Sequence, residues 1–349
     1  MNDHTSIQKI RTVLIGLGTV NIGVLKILIE KKAIITKSHN LEIHIIGVAD
    51  SSGIAIKENG YTYEELIHLK SNGNKVNQLE GYLSGIPIEQ ITNHVNADVL
   101  IDGSPVNLKT GNPGLQAIRN ALSKGCSVVS ANKAPLVLAY DELHQLAKKH
   151  GSKLAYSATV CGGLPVINIL QRDLQATNLI GFKGIFNATT NFILEALEKD
   201  GSFDEAIKEA QRLGAAETDP SLDIDGYDTA NKLYIIMKSF TEFSGTISDI
   251  QIEGIRAITS KDIKQAAIQN KRIKLLAVAE KKAGIWSLSV RPTKVEASSF
   301  IGNCDGWEMG IHLQTDYYEE LSMKIYEEDP ITTSAAVVRD IINLLKKSF

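Results

Sequence analysis

The chain has 349 residues, room for two domains at about 150 residues each. Its 43% hydrophobic and 22% charged residues match an average globular protein and exclude a disordered or low-complexity chain. With 37 Lys and Arg against 40 Asp and Glu, a net charge of −3 and only 6% aromatics, it lacks the basic, base-stacking surface of a nucleic-acid binder.

The start, Met1 to Arg11, is polar and carries no secretory signal, and no apolar run nears the roughly 20 residues that cross a bilayer. Thr12 to Ile15 reads as a buried strand, followed at once by Gly16-Leu17-Gly18-Thr19-Val20. Ile22, Leu25, Leu28 and Ile29 then recur at helical spacing. Ile43 to Ala49 is a second strand ending at Asp50, Asp98 to Asp102 a third, and Cys126 to Ser130 a fourth. Between the last two, Leu115, Ile118, Ala121 and Leu122 form a helical stripe that stops at Lys124-Gly125. Apolar strands alternating with helices predict a parallel sheet covered on both faces. Beyond residue 150 the rhythm becomes mixed: strands over 152–158, 180–186, 273–279 and 285–290, and helices over 165–171, 191–199, 204–213 and 228–240. A last helix, 333–347, places Ala335, Val338, Ile341 and Leu345 on one face and should return to the first domain. The three cysteines, Cys126, Cys161 and Cys304, are scattered, which suits a reducing cytoplasm and offers no zinc spacing.

The glycine turn is the first chemical signal. Gly16 permits a tight turn, Gly18 lets a pyrophosphate approach the backbone, and the following helix offers its N-terminal N–H groups. The third position of such a fingerprint is normally Gly or Ala; here it is Asn21, with Gly23 two residues on. Asp50 ends the second strand where an acid hydrogen-bonds the ribose of NAD. No Arg follows it to hold a 2′-phosphate, so NAD is favoured slightly over NADP; a strand-ending Asp that caps a turn is the plain alternative. Lys133 lies just past the fourth strand, at the carboxyl edge where open α/β sheets bind ligands. Glu217 to Asp228 holds five acids in twelve residues, either a solvated loop or a pocket for an amino group. Asp228 and Lys232 are four apart on one helical face: a surface ion pair, or a carboxylate that orients substrate beside a proton-donating ammonium.

These segments resemble homoserine dehydrogenase. The resemblance rests on Asp102-Gly103-Ser104-Pro105-Val106-Asn107, then Gly111 to Leu115, then Val128 to Leu136 with Lys133, then Gly184 to Leu194, then Gly214 to Lys232, all in the family's order. It implies an α/β Rossmann-type nucleotide-binding domain, 1–150 completed by 331–349, and an α+β catalytic and dimerisation domain, 151–330. The implied reaction interconverts L-homoserine and L-aspartate 4-semialdehyde with NAD or NADP. By resemblance Lys232 donates the proton, Asp228 is its partner at the substrate, Lys133 serves the reaction and the cofactor, and Glu217 binds the substrate amino group. Gly16, Gly18, Thr19, Val20, Asn21, Asp50, Ser104 and Gly214 complete the cofactor set, and the chain is expected to be a homodimer.

Four departures from the family accompany this. Val160, Gly162 and Leu164 match positions whose backbone oxygens bind sodium in some relatives, but Ser157 replaces the family's acid there. Ala188 replaces a usual glycine, within an Asn187-Ala188-Thr189 triplet that reads as a helix cap rather than a glycosylation acceptor. The third is Asn21. Near the end, Glu327-Glu328-Asp329-Pro330 stands where the family has a glycine-rich loop. No fused aspartate kinase is expected ahead of the nucleotide domain and no ACT-type domain after the last helix. Two alternatives stay open: a related dehydrogenase of another amino-acid aldehyde or hydroxy acid, and a catalytically silent nucleotide- or metabolite-binding homologue.

Overall fold

The computed structural model describes residues 7–199, 202–213, 216 and 218–346. They form two compact units: residues up to Gly163 together with those from Pro330 onward, and Leu164–Asp329.

The first unit contains strands β1 Gln8–Ile15, β2 Leu41–Asp50, β3 Gly53–Tyr61, β4 Tyr82–Leu83, β5 Val99–Asp102, β6 Ser127–Ser130 and β7 Leu154–Ala155. Its helices are α1 Thr19–Glu30, α2 Lys32–His39, α3 Tyr63–Ser71, α4 Ile91–His94, α5 Gly114–Ser123 and α6 Lys133–His150, the last kinked at Ala139. The sheet order is β4-β3-β2-β1-β5-β6-β7. Strands β2, β1, β5, β6 and β7 are parallel. The all-parallel sheet expected from sequence is corrected at one edge, where β3 pairs antiparallel with β2 and β4 with β3. Strand β3, GIAIKENGY, alternates poorly and is half-exposed at its charged centre, so its pattern does not announce a buried strand.

Burial on both faces explains the continuous apolar strands. Ile10 and Leu14 of β1 join a core with Val24, Leu25 and Leu28 of α1, whereas Val13 and Ile15 join a second core with Leu115, Ile118 and Leu122 of α5. The buried stripe of α1 is Asn21, Gly23, Val24, Leu25 and Leu28, so Ile29, which shares the helical spacing, stays 36% exposed. Helix α2 fills the long interval between the glycines and Asp50. Gly125, with φ +76°, stops α5 as its sequence suggests.

The C-terminal helix, Ile331–Leu345, belongs to the first unit and packs Val337, Val338, Ile341 and Leu344 into the core that α1 lines. Its buried face is offset from the expected one: Ser334 and Asp340 are inside, Ala335 is exposed and Leu345 only half-buried. Residues 151–163 also fall in this unit, where the strand expected over 152–158 shrinks to β7 and a 3₁₀ turn at 157–159.

The second unit mixes helices with one six-stranded sheet. Its strands are β8 Leu179–Ile185, β9 Gln251–Ile252, β10 Lys271–Lys282, β11 Ile285–Glu296, β12 Glu308–Thr315 and β13 Glu320–Tyr326, in the order β13-β12-β8-β10-β11-β9. All neighbours are antiparallel except β9 and β11. Its helices are α7 Val166–Asn168, α8 Ala188–Glu198, α9 Phe203–Arg212, α10 Ser221–Ile224, α11 Tyr227–Phe240 and α12 Ser260–Ile268. Helix α7 covers only part of the expected 165–171 span before a π turn at 169–173 takes over. Strands β12 and β13 and helix α12 had no counterpart in the sequence reading.

Candidate active site

In the first unit, β1 and β5 lie side by side with β2 on the other flank of β1, so connections leave in opposite directions from the carboxyl ends of β1 and β5. Such a divergence opens the crevice where α/β sheets bind ligands. Gly16 sits there at φ +79°, and a Cβ on it would come within 2.4 Å of Gly103 O. Only glycine fits both the dihedral and the approach. Gly18 caps α1 without any side-chain hydrogen bond, and a Cβ on it would meet nothing within 4 Å. The open backbone, the first-turn N–H groups of Thr19, Val20 and Asn21, and the lack of an acid in that turn together suit an anionic pyrophosphate.

Asn21 does not loosen this turn. Its Nδ2 donates to Ile15 O at 3.1 Å and Gly16 O at 2.7 Å, tying the strand end to the helix. Its Oδ1 is buried without a hydrogen-bond partner. The missing side chain of Gly103 makes the room, since a Cβ there would lie 2.8 Å from Asn21 Nδ2.

Asp50 ends β2 as expected, but its carboxylate is engaged in the turn. Oδ1 accepts from Ser52 N at 2.8 Å and Ser52 Oγ at 2.5 Å, and Oδ2 accepts from Val76 N at 3.2 Å. The turn-capping alternative therefore describes what this side chain does within the chain.

At the ends of β5 and β6 lies a polar cluster that the sequence reading did not assemble. Asp102, wholly buried, accepts from Ser104 N at 3.0 Å, Ser104 Oγ at 2.6 Å and Ser130 Oγ at 3.1 Å. Burial pushes its carboxyl above the ordinary value, while these donors pull it back. Asn132 Nδ2 donates to Ser104 Oγ at 3.1 Å, and Asn132 Oδ1 caps α6 by accepting from Ala134 N at 3.0 Å. Lys133 is the first residue of that helix. The Ser104 hydroxyl is thus turned inward rather than presented to a ligand. An acid followed two residues later by Ser is a turn signature visible in sequence; its link to Ser130 and Asn132 is not.

In the second unit, Asn187 caps α8 by accepting from Thr190 N at 2.8 Å. Its Nδ2 also donates to Asp223 Oδ1 at 2.7 Å and Asp228 Oδ2 at 2.8 Å, bridging two carboxylates. Asp228, in the first turn of α11, pairs with Lys232 at 2.8 Å, and Lys232 Nζ also donates to Phe186 O at 2.6 Å. With Asp228 5% and Lys232 15% exposed, this is a shielded pair rather than a solvated one. Two further acids of the 217–228 stretch are anchored otherwise: Asp219 accepts from Ser221 N at 3.1 Å and Asp225 pairs with Arg256. Gly214 and Glu217 lie outside the described residues. Neither Asp223 nor the bridging role of Asn187 could be read from spacing, because loop and helix meet only in the fold. Ala188 begins α8 as an ordinary helical residue. Asn191 is structural, its Nδ2 donating to Cys304 O at 3.1 Å and its Oδ1 accepting from Lys274 Nζ at 2.8 Å.

Val160 and Gly162, two of the expected sodium positions, lie in a loop tied to the C-terminal helix. Arg339 of the C-terminal helix donates to Gly163 O at 3.0 Å and Ser157 Oγ at 2.7 Å, and Asp340 accepts from Ser157 N at 2.8 Å. A guanidinium and a carboxylate from that helix thus meet the loop at Gly163 and Ser157. Leu164, the third expected position, is buried at the start of the second unit. Among the described residues no group of three or more His, Cys, Asp or Glu could hold a metal. In the acidic 327–330 segment, Glu328 accepts from Tyr326 Oη at 2.8 Å, and Pro330 caps the C-terminal helix.

Residues 16–157 match the family model described as the NAD binding domain of homoserine dehydrogenase, and residues 165–342 match the one described as homoserine dehydrogenase. The homoserine dehydrogenase of Methanocaldococcus jannaschii is 34% identical over 95% of this chain and 97% of its own length. The chain belongs to the homoserine dehydrogenase family. Another relative, an NAD(+)-dependent homoserine dehydrogenase from Pseudomonas canavaninivorans, is 32% identical over 80% of both chains. Among solved structures, a homoserine dehydrogenase of Thiobacillus denitrificans superposes with TM-score 0.84 at 28% identity, over 97% of this chain and 74% of that one. A hyperthermophilic archaeal homoserine dehydrogenase in complex with NADPH gives 0.81 at 26%, over 96% and 97%. Homoserine dehydrogenases are NAD(P)-dependent oxidoreductases, and both units of this family member carry their part of that likeness. No helix among the described residues is long and apolar enough to cross a membrane.

Proposed function

We propose that the chain interconverts L-homoserine and L-aspartate 4-semialdehyde with NAD or NADP, with Lys232 as the proton donor. The observation that carries the residue assignment is the shielded Asp228–Lys232 pair with Asn187 holding Asp223 beside it. Carboxylates are what an amino-acid ammonium requires, and Glu217 would supply another. Among relatives one is named NAD(+)-dependent and another was solved with NADPH, which supports either nicotinamide cofactor.

The unit completed by the C-terminal helix would bind the cofactor through Gly16, Gly18, Thr19, Val20 and Asn21, with Gly214 and the Ser104 loop contributing. Asp50 would reach a ribose only through lone pairs its turn leaves unused. Lys133 would hold anionic groups at the sheet's carboxyl edge. When bound, a reduced nicotinamide supplies hydride to the aldehyde carbon. Negative charge then grows on the aldehyde oxygen. The Lys232 ammonium, oriented by Asp228 and by Phe186 O, neutralises that charge and gives the oxygen its proton. In the reverse direction the neutral amine takes the hydroxyl proton as hydride leaves.

The 164–329 unit would carry catalysis and dimerisation. Its sheet lines a groove of about 430 Å³ with the partly buried Lys183, Val278 and His312, a surface suited to a second copy. The three cysteines are buried and none is in a disulfide among the described residues, which agrees with a cytoplasmic setting. Light scattering of the eluting protein tests the dimer, and a monomer mass would remove it.

The test of the reaction follows nicotinamide absorbance with L-homoserine in wild type and Lys232→Met. The variant should lose roughly 10²–10⁴-fold in kcat while its cofactor affinity stays within about twofold. Wild-type protein that binds nucleotide yet turns over neither cofactor with L-homoserine would refute the proposal.

A further inference from the structure

Among the described residues the buried carboxylate of Asp102 is met by hydroxyl and amide donors rather than by a cation, and it stands between the two segments assigned to the cofactor edge. One oxygen holds the loop after β5, through Ser104 N and Oγ; the other holds the end of β6, through Ser130 Oγ. Asn132 closes the circuit, with its amide on Ser104 Oγ and its carbonyl oxygen capping the helix that starts at Lys133. The Ser130 hydroxyl has one hydrogen and two acceptors in reach, Asp102 Oδ2 and Asn132 O, both at 3.1 Å. The charged acceptor takes it. The first turn of α5 seals the cluster: a Cβ on Gly114 would lie 2.8 Å from both Asp102 Oδ2 and Asn132 Nδ2 and 2.9 Å from Ser104 Oγ. The partial positive charge at that helix start offsets the carboxylate. A buried acid in this position costs stability unless every lone pair is used, and an apolar residue would fill the space at less cost.

We propose that Asp102 is a positioning residue for the cofactor: it locks the Ser104 loop to the Asn132-capped start of α6, so that loop backbone and Lys133 present one fixed wall. This rests on the reading that the carboxyl edge of β5 and β6 faces the nicotinamide cofactor. Two consequences are particular to the arrangement. The Ser104 hydroxyl, its hydrogen committed to Asp102, cannot donate to a cofactor, so any contact there comes from the loop backbone. The tie itself depends on acceptor geometry rather than on charge. An Asn side chain could accept from Ser104 through Oδ1 and donate to Ser130 through Nδ2, with the Ser130 hydrogen redirected to Asn132 O.

The test titrates NADH and NADPH against full-length protein by nucleotide fluorescence, without substrate, in wild type, Asp102→Ala, Asp102→Asn, Ser104→Ala and Lys133→Ala, with steady-state kinetics alongside. Asp102→Ala should weaken binding about tenfold or more and raise the cofactor KM more than it lowers kcat, since Ser104 N, Ser104 Oγ and Ser130 Oγ all lose their buried acceptor. Asp102→Asn should stay within about threefold, and Ser104→Ala should add little to Asp102→Ala because both cut the same tie. The Asn variant also keeps the proposal testable should the Ala variant not fold. Unchanged affinity in folded Asp102→Ala, with only its melting temperature lowered, would reduce Asp102 to a structural role. Equal impairment of Asn and Ala would replace the geometric tie by a charge effect and overturn the proposal. If Lys133→Ala weakens binding while Asp102→Ala does not, this inference alone fails. Unchanged affinity in both removes it together with the reading beneath it.

Discussion

Gly23→Ala, one residue in the interior of α1, tests the packing that brings the two ends of the chain together. Helix propensity alone favours the change by about 1 kcal/mol. The tertiary structure opposes it: an added Cβ would lie 2.2 Å from Ser334 Oγ, 2.9 Å from Ser334 Cβ and 3.4 Å from Ile331 Cδ1. Ser334 is 1% exposed and donates to Val20 O at 2.9 Å, so it cannot swing into solvent. Overpacking of this kind costs about 1–3 kcal/mol, and displacing the hydroxyl forfeits a buried hydrogen bond of about 1 kcal/mol. Offsetting the propensity gain leaves a net loss of about 1–3 kcal/mol, or a melting temperature lower by about 4–8 °C at the middle of that range. Scanning calorimetry gives the stability, and nucleotide titration gives the functional echo, because α1 also carries the Gly18 turn. Ser334→Ala alone should cost about 1 kcal/mol, yet combined with Gly23→Ala it removes the tightest contact, so the double variant should be more stable than the sum of the singles predicts. A Gly23→Ala protein as stable as wild type, or single effects that add within about 0.5 kcal/mol, would refute the close approach.

Other outcomes follow from the same contacts. Burial, with Arg272 nearby, lowers the Lys274 ammonium from 10.5 to about 8, so between those values the unfolded chain binds the extra proton. Stability should therefore rise with pH across that window through this group, and denaturant titrations should show that rise missing in Lys274→Met. Asn187→Ala removes both a helix cap and the bridge between two carboxylates; a stability loss of about 2 kcal/mol and a fall in kcat are expected from urea melts and assays. Because Arg339 already serves the 157–163 loop, activity in sodium, potassium and choline chloride at equal ionic strength should coincide. A saturable sodium requirement would contradict that. Arg339→Met should lower stability by about 2 kcal/mol by calorimetry.

What the sequence by itself determined is local. The run Thr12 to Ile15 against Gly16 and Gly18 specifies strand, turn and helix start, because left-handed backbone and open approach need glycine. The i, i+4 spacing of Asp228 and Lys232 is fixed by helical geometry alone, as is the amphipathic stripe of α5. The antiparallel edge at β3, the offset face of the C-terminal helix and the inward turn of the Ser104 hydroxyl were decided elsewhere. Each depends on which segment arrives opposite: β2 beside a half-polar strand, α1 against Ser334, Asp102 beneath Ser104. Asp50 shows the same division, its place at a strand end legible and its commitment to Ser52 and Val76 not. Periodicity encodes which side of an element is apolar. Whether a polar group on that side becomes a ligand, a cap or a tie depends on donors brought from distant parts of the chain, and only the assembled fold supplies them.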